Sequence, residues 1–311
     1  MSEPTAQEVN GALFDMFDRG LDKEAQQAVT DFTRIRMREE GFFRDIITPV
    51  TVTDADLDGQ VDTDNPVVIC EKEPASPPAY SVPFGTAPFS RYIRSNKYRV
   101  MFQRLMTAKF YKDIAQLRTY KMDIRQIISD NALKDMQSEE DGKFIATVEA
   151  ILGGAAGVVN PDTGVSQWEE FSSGIDSKDT WADARKILRK TDNGLTSKTA
   201  LMNHVTVLDL EKWTRDEMGG DMTEQISING FGETTFGSQR VLVTIKNNIV
   251  PTDRVYFFAD EKALGKFFVL DDTTMYVKAE AFMIEFYAYA CQGAAIANSA
   301  GLGIADFNAA A

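Results

Sequence analysis

The sequence predicts an α+β protein in which one long helix crosses a sheet built from the later part of the chain. Apolar residues recur at helical spacing from Ile124 to Leu152, and two glycines follow where such a helix would end. Runs rich in aromatic and β-branched residues, typical of strands, dominate the chain after residue 200. Between residues 79 and 105, two extended runs flank a tip of turn-forming residues, which is the pattern of a hairpin.

The composition indicates a globular protein. The chain has 311 residues, 43% of them hydrophobic and 26% charged, which is enough to bury a core in one large domain or two. No apolar run reaches about 18 residues and no signal-peptide pattern opens the chain, so no membrane association is predicted. Cys70 and Cys291 lie far apart in sequence, which favours buried thiols in a reducing compartment over a disulfide.

Charge is unevenly distributed along the chain. The net charge of −14 argues against nucleic acid as the main ligand, because phosphate binding depends on Lys and Arg. Residues 86–121 nevertheless contain nine basic residues and one acidic residue, whereas residues 53–64 contain five aspartates and no base. This segregation favours a basic segment that docks on acidic partners, including copies of the same chain. Two solvated faces of opposite sign are the alternative.

The remaining elements are predicted from periodicity. Residues 5–40 are predicted to be helical, since their apolar residues recur at helical spacing, with a bend at Gly20. Residues 42–69 are predicted to be extended, and the proline-rich residues 71–78 to connect them to the hairpin, whose two strands are predicted at Ala79–Phe84 and Lys97–Leu105. Later predictions are helices at 178–190 and 209–217, and strands at 201–208, 226–228, 240–246, 255–259, 266–270 and 275–290.

An aspartate-rich segment carries the sharpest local motif. Asp54, Asp56, Asp58 and Asp62 follow the order of a calcium-binding loop. Asn65 stands where that loop needs a bidentate glutamate, and the flanking residues are predicted to be extended instead of helical. The four aspartates are therefore weak candidates for a cation site, and a solvated acidic turn is the favoured interpretation.

Other candidates for chemistry have simpler explanations. His204 is the single histidine, and its apolar surroundings predict a packed core residue; a catalytic or zinc site lacks the necessary partners. The glycine-rich stretches 153–157 and 230–237 lack the motif of a phosphate loop and are predicted to be loops. Glu139, Glu140 and Asp141 are predicted to form a solvent-facing turn of the helix. No enzymatic activity and no cofactor are predicted.

The hairpin tip interleaves basic and aromatic side chains. This composition is compatible with binding single-stranded nucleic acid and with protein docking, where Tyr and Arg dominate. The acidic character of the remaining chain favours docking. The predicted contact residues are Phe89, Arg91, Tyr92, Arg94, Lys97, Tyr98, Arg99 and Arg104.

Three stretches together resemble the major capsid proteins of tailed bacteriophages, which have the Hong Kong 97-like fold. Residues 109–152, KFYKDIAQLRTYKMDIRQIISDNALKDMQSEEDGKFIATVEAIL, resemble the passage from the family's extended loop into its spine helix. Residues 228–267, INGFGETTFGSQRVLVTIKNNIVPTDRVYFFADEKALGKF, are similar to its capsomer-domain strands. Residues 275–307, MYVKAEAFMIEFYAYACQGAAIANSAGLGIADF, resemble its last peripheral-domain strand.

The resemblance implies a division of the chain. Residues 1–50 would form an N-terminal arm with a helix, and residues 51–121 an extended segment and extended loop, with its hairpin at about 79–105. Residues 122–152 would form the spine helix of the peripheral domain. Residues 153–274 would form the axial domain, with tips near 219–220 and 230–237, and residues 275–311 would return to the peripheral domain.

The resemblance also implies a function. Copies of the chain would assemble into hexamers and pentamers of an icosahedral head that encloses double-stranded DNA, in a virion assembled in the host cytoplasm. A separate scaffolding protein, a portal and a decoration protein would be partners. Some relatives crosslink a loop lysine to an asparagine, and Lys97 or Lys109 would be the candidate lysine here, although no partner set is visible. The alternatives are an encapsulin-type nanocompartment shell and a small-ligand or enzyme domain.

Overall fold

The computed structural model describes most of the chain after residue 40. The described residues are 41–59, 61–72, 79, 81–85, 87, 90, 96–113, 116, 124–172, 174–175, 178–191, 194–211, 235–236, 239–280 and 282–307, together with Ala12 and Lys23. The predicted N-terminal helix lies outside these residues except at Ala12 and Lys23, which are both helical and exposed. The predicted strand 226–228 and the glycine-rich tip at 219–220 also lie outside them, as does most of the tip at 230–237.

The elements follow one another in a mixed order. The first part of the chain contains α1 (Phe42–Ile46), β1 (Pro49–Thr51), β2 (Val67–Lys72), β3 (Asn96–Met101), β4 (Gln103–Met106), β5 (Phe110–Asp113) and α2 (Ile124–Ile151). The second part contains β6 (Trp168–Glu170), α3 (Lys178–Ala184), β7 (Thr199–Asn203), α4 (His204–Glu211), β8 (Thr235–Phe236), β9 (Gln239–Thr244), β10 (Arg254–Phe258), α5 (Glu261–Leu264), β11 (Gly265–Glu280), β12 (Met283–Ile296) and β13 (Leu302–Asp306). No helix among the described residues is both long and apolar enough to cross a membrane.

The strands form two main sheets and one two-stranded hairpin. The first sheet has the order β1-β11-β12-β4, and β5 also pairs with β12. The second sheet has the order β6-β13-β10-β7-β9-β8, and β2 pairs with β3 alone. The predicted boundary between residues 274 and 275 falls inside β11, which lies wholly in the first sheet, while β13 lies in the second. The chain therefore passes from the second sheet to the first and back again.

The long helix α2 confirms the predicted helix within one or two residues at each end. It runs unbroken from Ile124 to Ile151. Gly153 and Gly154 follow with positive φ angles of 92° and 74°, and the amide of Gly154 donates to the carbonyl oxygen of Glu149 at 2.9 Å. A Cβ at Gly153 would lie 2.5 Å from Cγ1 of Val158, so both backbone angle and space favour glycine where the helix ends.

The two halves of α2 pack differently. In the first half Ile128, Leu133 and Met136 contact the inner face of the first sheet. In the second half Phe144 and Val148 enter a central core that contains side chains of both sheets. The helix thus joins the first sheet to the second.

An aromatic cluster fills the centre of this core. The ring of Phe43, from α1, lies 4.5 Å from the ring of Phe144 and 4.5 Å from that of Phe267 on β11. The ring of Phe144 lies 5.5 Å from that of Phe258 on β10. Side chains from two helices and both sheets therefore meet at these four rings.

Two consecutive acids of α2 are buried beside the cluster, contrary to the predicted solvent-facing turn. Arg44 forms two hydrogen bonds with Glu140, at 3.0 and 2.8 Å. Asp141 accepts a hydrogen bond from the backbone amide of Phe43 at 3.1 Å and one from Nζ of Lys246 at 2.6 Å. Both carboxylates have a side-chain exposure of 1%, because cations from α1 and from the loop after β9 cover them.

The hairpin differs from its prediction. Strand β3 pairs antiparallel with β2, placing Tyr98 opposite Cys70, and the described residues among 79–84 belong to no strand. The alternation predicted for Lys97–Leu105 is confirmed, since Val100 and Phe102 are buried against Phe268 and Cys291. The base of the hairpin is therefore supported by its own chain.

Three further strand predictions need correction. The run 201–208 divides at Asn203 into β7 and α4, because the Asn203 side chain accepts a hydrogen bond from the amide of Val205 and caps the helix. The run 275–290 divides into β11 and β12, which pair with each other. Residues 42–69, predicted to be extended, contain α1 and a 3₁₀ turn at Asp54–Asp56 as well as strands.

Substituting the buried acid of α2 should destabilise the subunit. Glu140→Gln leaves the buried Arg44 guanidinium without its counter-charge, so we expect the free energy of unfolding to fall by about 3 kcal/mol. Glu139→Gln is the matched control, because Glu139 is exposed and forms an exposed ion pair with Lys143 one turn away; its effect should stay below about 0.5 kcal/mol. Urea unfolding of unassembled subunits measures both, and equal effects would contradict the burial described.

The second acid should make stability depend on pH. Burial raises the pKa of the Asp141 carboxyl above its ordinary value of 3.8, and the hydrogen bond from Lys246 opposes the shift. The folded state therefore holds this proton more tightly than the unfolded state, so the stabilisation is complete below pH 3.8 and is lost as the pH rises through the folded pKa. The Asp141→Asn variant does not titrate at this position. Its stability relative to wild type should rise as the pH increases above 3.8, and parallel profiles would refute this.

Truncating the hairpin's buried face should also cost stability. Val100 is 0% exposed, so Val100→Ala should lower the free energy of unfolding by about 2 kcal/mol. Lys97→Ala on the same strand changes an exposed side chain and should cost less than about 0.5 kcal/mol. A negligible effect of Val100→Ala in urea unfolding would show that the hairpin is not packed on its own chain.

Candidate subunit-contact surface

The described basic residues of the hairpin are exposed and paired within the chain. Lys97 lies opposite Glu71 on β2, with their charged groups 3.4 Å apart. The guanidinium of Arg99 donates to Oδ2 of Asp62 at 2.7 Å. This contact joins the basic strand to the aspartate-rich turn, so the two oppositely charged segments predicted from sequence meet within one subunit.

Tyr98 packs in the cluster that joins the hairpin to the first sheet. It is half-buried and lies opposite Cys70, among the side chains around Val100 and Phe268. Burial raises the pKa of Tyr98 to about 12, and the neighbouring Cys70 adds to the rise. Its ring thus belongs mainly to the subunit's own packing, not to a free contact surface.

The connection between β2 and β3 is exposed and carries two large apolar side chains among its described residues. Its described residues, 79, 81–85, 87 and 90, are all exposed. Phe84 is fully exposed and Val82 is 36% exposed. Four of the predicted contact residues, Phe89, Arg91, Tyr92 and Arg94, lie outside the described residues.

The other loop cations lie on the first sheet. Arg104 is exposed on β4, in register with Cys291 of β12. Lys109 forms an ion pair with Glu285 at 2.5 Å, and its ammonium lies 5.4 Å from the centre of the Tyr287 ring. The hydrogen bond to Glu285 raises the pKa of Lys109. Lys109 therefore has anionic and aromatic partners in its own subunit.

The aspartates of the acidic turn do not converge on one point. Asp56 caps a 3₁₀ turn by accepting from the amide and hydroxyl of Thr53, and the hydroxyl hydrogen bond lowers its pKa. Asp58 accepts from the amide of Ile69 at 2.8 Å. The hydrogen bond from Arg99 lowers the pKa of Asp62. Within the described part of the chain, no group of three or more potential metal ligands comes together.

The structure also places the remaining chemical candidates. His204 is exposed at the start of α4, so the predicted core position is wrong; the strand ends one residue earlier and turns it outward. The residue of the acid triplet that does face solvent is Glu139, with a side-chain exposure of 57%. Glu140 and Asp141 are buried in ion pairs with Arg44 and Lys246.

Sequence reasoning missed the strand that completes the hairpin. Residues 67–72, VVICEK, follow Pro66 and contain a short β-branched run, which is a strand signal. The amide of Phe102 donates to the carbonyl oxygen of Pro66 at 3.0 Å, just beyond the paired region. The position of this strand beside β3 depends on a connection of 23 residues, which no local pattern reveals.

Comparison with known proteins identifies the fold. No family model matches the sequence, and no curated protein matches it. Among solved structures, the capsid of the cyanophage P-SCSP1u matches with a TM-score of 0.59 at 11% identity, over 86% of this chain and 88% of that one. The virus-like particle from Pyrococcus furiosus matches with a TM-score of 0.57 at 14% identity, over 90% and 98%. A structure from Mycobacterium phage Ogopogo matches with a TM-score of 0.57 at 12% identity, over 85% and 90%.

The matches cover 85–90% of this chain and 88–98% of the matched chains, so the likeness extends over most of the fold. Identities of 11–14% mean that this likeness rests on the course of the backbone. The α+β prediction and the predicted resemblance are confirmed: the chain has the Hong Kong 97-like fold of phage capsid proteins.

Proposed function

We propose that this chain is a major capsid protein whose copies assemble into hexamers and pentamers of an icosahedral phage head around double-stranded DNA. The observation that carries the proposal is the likeness to shell-forming chains over 85–90% of this chain. The role is structural and not enzymatic.

The two sheets support a division into domains. The first sheet with α2 would form the peripheral domain, and the second sheet the axial domain. The chain would leave the axial domain after β10, cross the peripheral domain through β11 and β12, and return with β13. The connection between β2 and β3 would be the extended loop.

The charge pattern supports docking of this loop on a neighbouring subunit. Its base is packed on its own chain, while its described connecting residues are exposed and include the unburied ring of Phe84. Phe89, Arg91, Tyr92 and Arg94 would contact the neighbour, with Lys97, Tyr98, Arg99 and Arg104 at the edge of the contact. Obligate interfaces bury about 2,000 Å² or more, and many copies sum to a strong shell.

An acidic subunit suits a container for DNA. A net charge of −14 gives the polyanion few cations to bind, so packaged DNA would not be trapped by its backbone. A scaffolding protein, a portal and a decoration protein would be further partners, and the location would be the virion after assembly in the host cytoplasm.

Reversing the tip charges should block assembly without unfolding the subunit. In the triple variant Arg91→Glu, Arg94→Glu and Lys97→Glu, the loop would repel the acidic neighbour, so we expect no shells at concentrations at which wild type assembles fully. Size-exclusion chromatography and negative-stain microscopy measure assembly, and circular dichroism verifies folding.

The control triple variant carries the same charge change at exposed positions of the second sheet's helical side, Lys178→Glu, Lys186→Glu and Arg189→Glu. It should retain assembly. Intact shells from the tip variant would refute the assignment of the loop to the subunit contact. A wild-type chain that stays monomeric under all conditions would refute the proposal that copies of it form a shell. Nuclease-protected DNA inside the particles distinguishes a phage head from a nanocompartment.

A further inference from the structure

An apolar groove of about 650 Å³ lies along the second half of α2. Thr147, Ala150 and Ile151 of α2 form one wall, and Phe43 and Ile47 at the two ends of α1 form one end. Residues of β4 and the last residues of β12 form the opposite wall. The groove thus lies between the helix and the first sheet, beside the aromatic cluster.

The exposed face of α2 changes character in its last two turns. As far as Lys143, the exposed residues include Lys134, Asp135 and Glu139, and Lys143 itself is exposed. After Lys143 the exposed residues are Ala146, Thr147 and Ala150, which are small and uncharged. A solvated helix face normally carries charged or polar side chains along its whole length. The change therefore indicates that the last two turns of α2 are covered by another part of the protein.

The course of the chain identifies the occupant. Gly41 is buried, and Phe43, two residues later, lines the groove. The segment of 40 residues before Gly41 therefore ends next to the groove. At this distance a tethered segment has an effective concentration in the millimolar range, which no free partner matches easily.

The amphipathic pattern of that segment indicates which face of the helix would enter the groove. On a helix of 3.6 residues per turn, Leu13, Phe14, Phe17 and Leu21 fall within about 100° of one another. Ala12 and Lys23 are helical and exposed. At 100° per residue, both positions fall outside the arc of the apolar stripe. The exposed positions are thus those that the apolar stripe leaves free.

The length of the groove matches the length of the apolar stripe. The groove follows α2 from Glu140 to Ile151, about 16 Å at 1.5 Å per residue, and Leu13 to Leu21 span about 12 Å. A helix of this length is marginal in water without a surface to pack on. We propose that the N-terminal helix packs into the groove of its own subunit through Leu13, Phe14, Phe17 and Leu21.

The test uses hydrogen exchange of the full-length, unassembled subunit. Phe17→Asp places a charge in the centre of the stripe, and Ala150→Glu places one on the wall of the groove. Each should raise the exchange rate of amides 13–21 by about tenfold or more, because undocking exposes the marginal helix. Ala12→Asp and Ser138→Glu add the same charges at exposed positions of the same two helices and should leave that rate at the wild-type value.

A photo-crosslinker at position 17 identifies the subunit that supplies the groove. In an equal mixture of light and isotopically heavy subunits, crosslinks to residues 143–151 or 292–296 should join peptides of the same label only. Mixed-label crosslinks would overturn the proposal in favour of a second copy, as would crosslinks to other regions or unchanged exchange in Phe17→Asp and Ala150→Glu. Neither measurement needs shells, so failure of assembly and failure of this contact are distinguishable.

Discussion

The contact between α1 and α2 is the interaction on which the architecture depends. Helix α1 has five residues, too few to be stable by itself. The ring of Phe43 stacks on that of Phe144, and Arg44 forms an ion pair with Glu140 of α2. Asp141 also binds the backbone of Phe43 and the ammonium of Lys246, from the loop after β9. One turn of α2 therefore holds the entry of the chain and the second sheet in a single arrangement.

Some parts of the chain bury their apolar side chains within the same chain, and others leave them exposed. Both sheets bury apolar side chains against helices of the same chain, and the base of the hairpin packs on Val52, Phe268 and Cys291. The connection between β2 and β3, by contrast, exposes the apolar side chains of Val82 and Phe84, and Phe84 is fully exposed. A subunit of this kind can fold first and assemble later, because its core does not depend on its neighbours.

The sequence predicted what depends on local pattern and missed what depends on distant contacts. Helix α2 was predictable because 28 residues share one period and a glycine pair follows. The burial of Glu140 was not, because its partner Arg44 lies 96 residues away in sequence. The division of 275–290 into two strands was missed because the connecting residues, near Phe282, include no glycine, proline or asparagine to signal a turn. Of the predicted contact residues, the four described ones lie at the hairpin base or on β4, and their intrachain partners come from segments that no spacing rule connects to them.

The ion pairs of the subunit divide into those that assembly can change and those that it cannot. Arg44 and Glu140 are both buried, so separating them would leave uncompensated charges in the core. The ion pairs of Lys97 with Glu71 and of Arg99 with Asp62 are exposed. Water or another carboxylate can therefore replace Glu71 or Asp62 at little cost in free energy. A neighbouring subunit that presents acidic groups to the hairpin can therefore exchange with these internal partners. Because the exchange releases Glu71 and Asp62 next to the incoming acids, the attraction must come mainly from cations further along the loop. In the proposed shell, the acidic turn would weaken wrong contacts by repelling acidic groups, so the correct contact would depend on shape and on the cations of the loop tip.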